Sequence, residues 1–228
     1  YMTSQPESVE LKLSKYSLGS VNSFAGKTFE GLYDRTYFAG PRKSHGYIMY
    51  NDQAPEGLSS SSTRGHSKGV LHFNPASFYW VIHSVPEYPL TRNSSNYTIH
   101  SDQCKNGQAM MCLSFNSSIE FAKVLRQLTF TWPNVYDCYI PPGVPEYADG
   151  TPLGILLRKV CNGKRNVTEQ RTLMYSKVNL ETAGGAIFTH MGKNEFLADD
   201  LYTRLVRPHF NAPLIAATWQ NGAGGAMN

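Results

Sequence analysis

The chain has 228 residues, of which 41% are hydrophobic and 17% are charged, and its formal net charge is +4. This composition excludes a disordered chain and is typical of a globular protein that buries its core in one large domain or two small ones. No apolar run approaches the roughly 18 residues of a membrane span, so we expect no membrane partner. The mild positive charge tolerates a polyanionic partner without requiring one.

Short apolar runs and alternating patterns predict strands along most of the chain. The candidates are Val9–Leu13, Tyr47–Tyr50, Ala109–Phe115, Leu128–Trp132, Ile155–Val160, Thr172–Val178, Ala186–Thr189 and Leu214–Trp219. Two stretches predict helices instead. Ser117 and Glu120 form a capping-box pattern before one apolar face, and Phe196–Val206 carries two aspartates in its first turn. The apolar face of the first helix consists of Ile119, Ala122, Leu125 and Leu128. The aspartates of the second are Asp199 and Asp200. Strands interleaved with helices predict a layered α/β fold.

The cysteines and the glycosylation sequons both favour an oxidising compartment, although no leader is visible after Tyr1. Sequons occur at Asn93, Asn96, Asn116 and Asn166. The four cysteines allow three disulfide connectivities, or else four buried thiols. We expect local pairs, Cys104 with Cys112 across a short polar turn, and Cys138 with Cys161 on either side of a proline-rich crossing.

The stretch from Arg64 to Pro86, RGHSKGVLHFNPASFYWVIHSVP, contains a His-x-Lys motif, His66 and Lys68. Residues two apart in an extended strand point to the same side, so the imidazole and the ammonium are expected side by side. Gly65 and Gly69 are expected to leave the backbone open to a large ligand. An imidazole beside a fixed ammonium suits attack on a phosphodiester.

Asn51 and Asp52 follow the Tyr47–Tyr50 run and precede the motif. Both residue types form turns readily, and both side chains could instead orient a catalytic group. The sequence leaves these two roles open.

The segments GHSKGV and WVIHSVP, preceded by YNDQ at Tyr50–Gln53, resemble the N-terminal half of deoxyribonuclease II, a family of acid endonucleases in the phospholipase D superfamily. The resemblance continues from about Ile48 to Trp219. It includes CKNGQAMMCLSF paired with RQLTFTWPNVY, then GGAIFTH and ADDLYTRL.

The resemblance implies a phospholipase D-like layered sheet flanked by helices, with this chain as one half plus part of a pseudo-symmetric two-half fold. Residues 1–228 would form a single domain, incomplete at its C-terminus. Two His-x-Lys motifs would cleave DNA without metal or cofactor. One histidine attacks phosphorus to form a phosphohistidine, the other protonates the leaving oxygen, and the products carry 3′-phosphates.

The sequence departs from this pattern at two places. It contains one His-x-Lys motif, because His190 and Lys193 are three residues apart. The resemblance also implies an aspartate where Asn74 stands, and the amide oxygen of Asn74 could still accept the N–H of His66. His83 matches a histidine of the family, either as an active-site partner or as a structural residue.

Three interpretations follow. The chain is part of a secreted or lysosomal acid deoxyribonuclease, or a secreted non-catalytic relative that binds nucleic acid or a partner protein, or an enzyme completed by dimerisation. We favour the first, and we expect the isolated chain to be inactive on DNA.

Overall fold

The computed structural model describes residues 12–34, 43–94, 97–105, 107–165, 167–213 and 215. The predicted strands Val9–Leu13 and Leu214–Trp219 lie mostly outside these residues. So do the sequon asparagines Asn96 and Asn166. Within the described ranges, no helix has the length and apolar character needed to span a membrane.

A five-stranded antiparallel sheet forms the centre of the described structure. Its strands are β1 (Gly46–Asn51), β2 (Lys68–Asn74), β3 (Ser77–His83), β4 (Met110–Phe115) and β5 (Val135–Tyr139), in the order β4-β3-β2-β1-β5. The two apolar runs of the Arg64–Pro86 stretch form β2 and β3, with the turn between them at Asn74 and Pro75. The strand predictions for β1 and β4 are confirmed.

Helices and a second sheet complete the mixed α/β architecture. The helices are α1 (Phe24–Tyr33), α2 (Ser118–Thr131), α3 (Pro152–Cys161), α4 (Val167–Thr172) and α5 (Arg207–Phe210). Short 3₁₀ turns cover Ser101–Lys105 and Pro145–Tyr147, and a π-helical turn covers Tyr202–Val206. The second sheet is the antiparallel hairpin of β6 (Tyr175–Glu181) and β7 (Ile187–Lys193).

Both faces of the central sheet are buried, because alternate side chains of each strand enter a different core. One core contains strand residues packed with α2 and α3, and the rings of Phe78 and Phe121 stack there at 4.5 Å. The other core joins the opposite face to α1, where the ring of Phe29 meets that of Tyr88 at 5.5 Å. Helices α2 and α3 therefore lie against one face of the sheet, and α1 lies against the other.

Two predicted strands are helical in the structure. Leu128–Trp132 forms the end of α2 and its C-cap, and Ile155–Val160 lies within α3. The hydroxyl of Thr151 accepts a hydrogen bond from the Gly154 amide and Pro152 begins the helix, which together favour α3. A short apolar run cannot by itself distinguish a strand from a buried turn of helix.

The predicted helices differ from the structure in detail. Ser117 caps α2 as expected, but Ile119 is 69% exposed, because the buried face of this helix includes Phe121 and Val124 instead. The predicted helix at Phe196–Val206 begins later. The chain makes a turn at Asn194–Leu197 before its helical region starts at Leu201.

The structure contains a disulfide between Cys138 and Cys161, which ties β5 to α3. Cys112 is a free thiol, so the predicted Cys104–Cys112 pair is not formed. Its side chain packs against the core on the α1 side of the sheet, and burial raises the pKa of this thiol to about 11. The exposed asparagines Asn93 and Asn116 remain predicted glycosylation sites.

Candidate active site

A cleft of about 650 Å³ opens where three neighbouring strands meet at one end of the central sheet. β1 ends there, β2 begins and β3 ends, and antiparallel pairing places Asn51 opposite Lys68. The register that pairs Gly69 with Ile82 brings Lys68 beside His83 on the same face. The walls of the cleft include His66, Lys68, Trp80, His83, Trp132 and His190.

Asp52 contacts both residues of the His-x-Lys motif. Its Oδ2 lies 2.7 Å from Nδ1 of His66, and its Oδ1 accepts a hydrogen bond of 2.6 Å from Nζ of Lys68. The Asp52 side chain is 11% exposed and that of Lys68 is 5% exposed. The carboxylate of Asp52 therefore makes an orienting contact with both side chains of the motif. Orienting a catalytic group was one of the two roles that the sequence left open for Asp52.

His66 itself reaches into solvent, since 86% of its side chain is exposed. A carboxylate at Nδ1 favours the tautomer with the proton on that nitrogen. The lone pair of Nε2 is then available for a ligand in the cleft. This geometry suits either nucleophilic attack or proton transfer by His66.

Asn51 has a structural contact pattern. Its buried amide donates hydrogen bonds to the carbonyls of Val85 and Tyr88, and its Oδ1 accepts one from the Gln53 amide. These bonds fix the segment that follows β3 and the turn that carries Asp52. Asn51 therefore supports the site through backbone groups, and these hydrogen bonds of its side chain do not involve His66 or Lys68.

Gly65 and Gly69 do not open the backbone to a ligand, contrary to expectation. A Cβ at Gly65 would lie 2.2 Å from the Thr131 carbonyl oxygen, and one at Gly69 would lie 2.3 Å from the Tyr50 hydroxyl. Gly65 donates its backbone N–H to the Trp132 carbonyl at 2.9 Å. Both glycines thus permit close internal packing, which anchors the motif to β1 and α2.

Asn74 does not orient His66. It ends β2, at the opposite end of the strand from Lys68, and its Oδ1 accepts hydrogen bonds from the amides of Ala76 and Ser77. Its amide nitrogen lies 3.0 Å from Nε2 of His45. The residue closes the β2–β3 turn, which is a common role of asparagine.

His83 lines the cleft beside Lys68, but the residue is only 6% exposed. Neither ring nitrogen makes a hydrogen bond of standard geometry within the described part of the chain. Burial, together with the charge of Lys68, lowers the pKa of His83 to about 3. The ring therefore stays neutral in mild acid, which argues against proton donation, while its predicted catalytic role remains a prediction.

His190 lines the cleft, although it belongs to no His-x-Lys motif. Its ring lies 5.2 Å from that of Trp80, and its Nδ1 lies 3.3 Å from Oε1 of Gln127. Burial lowers the pKa of His190 to about 4. Lys193 is the last residue of β7. It also lines this cleft, although it lies on the other face of the strand from His190. The sequence pattern did not indicate that His190 and Lys193 line the cleft of His66, since β7 belongs to the second sheet.

The cleft is cationic. Four basic residues, Arg64, Lys68, Arg165 and Lys193, line it. Two carboxylates offset part of this charge, because Asp52 pairs with Lys68 and Glu195 pairs with Arg165. Such a surface attracts a polyanion.

Comparison with known proteins identifies the family. The family model described as Deoxyribonuclease II matches residues 1–228. The chain is 33% identical over 218 residues to Plancitoxin-1 of Acanthaster planci and 34% identical over 211 residues to Deoxyribonuclease-2-alpha of Sus scrofa. These alignments cover 93% and 90% of the chain, and 55% and 54% of the relatives. The chain belongs to the deoxyribonuclease II family.

Deoxyribonuclease-2-beta of Mus musculus is a further relative, 30% identical over 207 residues, and 54% of its length is covered. The chain therefore spans about half the length of the curated relatives it matches. In this deoxyribonuclease II family chain, the YNDQ and GHSKGV segments meet through the pairing of β1 with β2. Asp52 comes from the first segment, and His66 and Lys68 come from the second.

Proposed function

We propose that this chain carries one half of the active site of a metal-independent acid endonuclease that acts on DNA. The observation that carries the proposal is the contact of Asp52 with both His66 and Lys68 at the edge of a cationic cleft. The relatives named deoxyribonuclease II support DNA as the substrate. No cofactor enters the proposed chemistry.

His66 is the proposed nucleophile. Its Nε2 attacks phosphorus while the bond from phosphorus to the 5′-oxygen of the next nucleotide breaks, and a second histidine gives that oxygen a proton. Water then attacks the phosphohistidine, transfers a proton to the second histidine and breaks the P–N bond. The product strand keeps a 3′-phosphate. Asp52 stabilises the positive imidazolium that forms during attack.

Lys68 serves two purposes in this proposal. Its ammonium offsets the charge of Asp52, which would otherwise repel a phosphate that approaches His66. An ammonium has three N–H donors, and Asp52 takes one of them at 2.6 Å. The remaining donors can hold non-bridging phosphate oxygens at the base of the cleft.

The second histidine of this proposal comes from a second His-x-Lys motif outside these 228 residues. We place residues 1–228 in a single deoxyribonuclease II-like domain, which supplies one half and part of the other half of a phospholipase D-like layered fold. A two-half fold brings both histidines to opposite sides of one phosphorus. The isolated chain should therefore bind DNA weakly and cut it negligibly.

We also place the protein in a secreted or lysosomal setting. The disulfide between Cys138 and Cys161 suits an oxidising compartment, and the exposed Asn93 and Asn116 are accessible to glycosylation. An acidic compartment fits the chemistry, because one neutral and one protonated imidazole coexist best near or below about pH 6.5.

The test compares the chain with a form extended to include a second His-x-Lys motif. The extended form should cut double-stranded DNA at about pH 5 with EDTA present, and it should leave 3′-phosphates. His66→Ala should abolish cleavage with little loss of stability, because this side chain is 86% exposed. His209→Ala, at an exposed position outside the cleft, provides a matched control that should leave cleavage unchanged.

Each alternative predicts a different result. Cleavage by the 228-residue chain that rises with protein concentration and requires His66 would indicate a site completed by a second copy. Binding of DNA without cleavage by the extended form would indicate a non-catalytic relative. Robust cleavage by the monomeric chain would contradict the need for a second histidine.

A further inference from the structure

Two arginines stack on one tryptophan in the wall of the cleft. The guanidinium carbon of Arg64 lies 4.1 Å from the ring centroid of Trp132, and that of Arg165 lies 3.7 Å from it. Arg64 and His66 are two residues apart, and both line the cleft. The stack therefore adjoins the proposed nucleophile along the chain.

Gly163 fixes the geometry of this stack. Its carbonyl oxygen accepts a hydrogen bond of 3.1 Å from Nη1 of Arg64 and another of 2.7 Å from Nε1 of Trp132. Gly163 has a positive φ of 58°, and a Cβ there would lie 2.7 Å from Nη1 of Arg64. The glycine thus makes room for the guanidinium group that it binds.

Trp132 holds an uncommon backbone conformation at this position. It is the C-cap of α2 with φ 54° and ψ 60°, in the left-handed region that favours glycine or asparagine. This conformation is strained for a bulky residue, and such strain is concentrated at functional sites. The position places the indole ring in contact with both guanidinium groups.

The charges of the two arginines are balanced differently. Arg165 donates to Oε1 of Glu195 at 2.6 Å, whereas Arg64 forms no ion pair with a carboxylate in the described residues. Burial and the neighbouring charge of Arg165 lower the pKa of Arg64, which reflects a site short of negative charge. A guanidinium has five N–H donors, and Gly163 takes one of those on Arg64.

We propose that Arg64, held on Trp132 and flanked by Arg165, binds a backbone phosphate of the nucleic acid next to the phosphate at His66. The inference rests on the proposed function, because it takes a polynucleotide as the ligand. A planar guanidinium binds phosphate oxygens in a bidentate manner. Such a contact positions the strand without reading its sequence.

The test measures binding of a fluorescent single-stranded oligonucleotide about twelve nucleotides long to the 228-residue chain, in EDTA. Arg64→Gln should weaken binding about tenfold and lower the slope of log affinity against log salt by about 1 between roughly 50 and 200 mM. Two oligonucleotides of different sequence should lose affinity equally. The matched control is Arg126→Gln, because Arg126 is exposed on α2 and does not line the cleft; it should change affinity less than about twofold.

A second variant distinguishes phosphate binding by Arg64 from a purely structural role of the stack. Arg64→Lys keeps the charge and loses the planar fork, so it should restore the salt slope while affinity stays reduced. If Arg64→Gln and Arg126→Gln bind alike with an unchanged slope, or if the wild-type chain does not bind, the inference is wrong. Binding that depends on Arg64, combined with no cleavage by the extended form, would overturn the proposed nuclease activity and retain the subsite. Cleavage by the extended form, combined with binding that does not depend on Arg64, would support the nuclease activity and overturn the subsite.

Discussion

His66 and His190 line the same cleft, yet their surroundings differ in every respect that matters for acid–base chemistry. His66 is exposed, and its Nδ1 faces a carboxylate that also binds Lys68. His190 is packed against Trp80, and its Nδ1 faces the amide oxygen of Gln127. An amide does not stabilise an imidazolium as a carboxylate does, so the partner and the exposure of each ring favour His66 over His190 as the proposed nucleophile.

The largest expected effect concerns the buried ion pair behind His66. Lys68→Met should cost about 3 kcal/mol of unfolding free energy, because it leaves the carboxylate of Asp52, only 11% exposed, without its ammonium partner. His66→Ala should cost less than about 0.5 kcal/mol, because the ring is mostly solvent-exposed. Urea denaturation at neutral pH measures both.

A double variant tests whether the pair itself is responsible. Asp52→Asn combined with Lys68→Met should recover most of the loss, since neither partner is then left as an unpaired buried charge. Equal costs for Lys68→Met and His66→Ala would contradict the proposed difference between the two side chains.

The partly buried His190 should make the protein less stable in acid. The pKa of His190 is lowered to about 4 in the folded state, whereas an unfolded histidine has an ordinary value near ~6.5. Between these values the unfolded chain binds more protons, so stability is greatest above about pH 6.5 and falls as the pH drops towards 4. His190→Gln should reduce the slope of stability against pH in this window by as much as about 1 kcal/mol per pH unit.

Met191→Leu is the matched control for this experiment, because it changes the neighbouring residue of β7 without altering a titratable group. Its slope should equal that of the wild type in urea titrations across the same pH window. An unchanged slope in His190→Gln would mean that the ring is solvated in the folded protein.

The Asn74→Ala variant tests whether Asn74 stabilises only the β2–β3 turn or also orients His66. It should lower stability by about 1 kcal/mol, because the amides of Ala76 and Ser77 lose their acceptor. Nitrogen NMR of His66 should give the same tautomer as in the wild type. Asp52→Asn should alter that tautomer balance, because it removes the carboxylate at Nδ1. A changed His66 tautomer in Asn74→Ala would restore the orienting role that the sequence predicted for Asn74.

The smallest effect is expected at Asp200, the carboxylate at the start of the helical region beside the cleft. Its Oδ1 accepts a hydrogen bond of 2.9 Å from the Thr203 amide, and the neighbouring Asp199 lies 3.5 Å from Arg204. Asp200→Asn keeps an acceptor at this position and should cost at most about 0.5 kcal/mol in thermal unfolding. Cleavage by the extended form should not change. Loss of cleavage at an unchanged melting temperature would give Asp200 the direct role that we assign only to groups beside His66.

The sequence determined the local features that depend on nearby residues. The apolar runs on either side of Asn74 and Pro75 form β2 and β3, the Ser117 cap predicted the start of α2, and the His-x-Lys spacing selected His66 and Lys68. Each signal acts over a few residues, through side-chain alternation or a hydrogen bond between near neighbours.

Only the tertiary structure decided which distant groups complete the site. Strand pairing brings Asp52 to a motif 14 residues away, whereas Asn74, closer along the chain, lies at the far end of the same strand as Lys68. The same folding packs Arg64 against Trp132 and turns two apolar runs into helix. These outcomes depend on register and on burial against other elements, which are properties of the whole fold and leave no pattern in a short stretch of sequence.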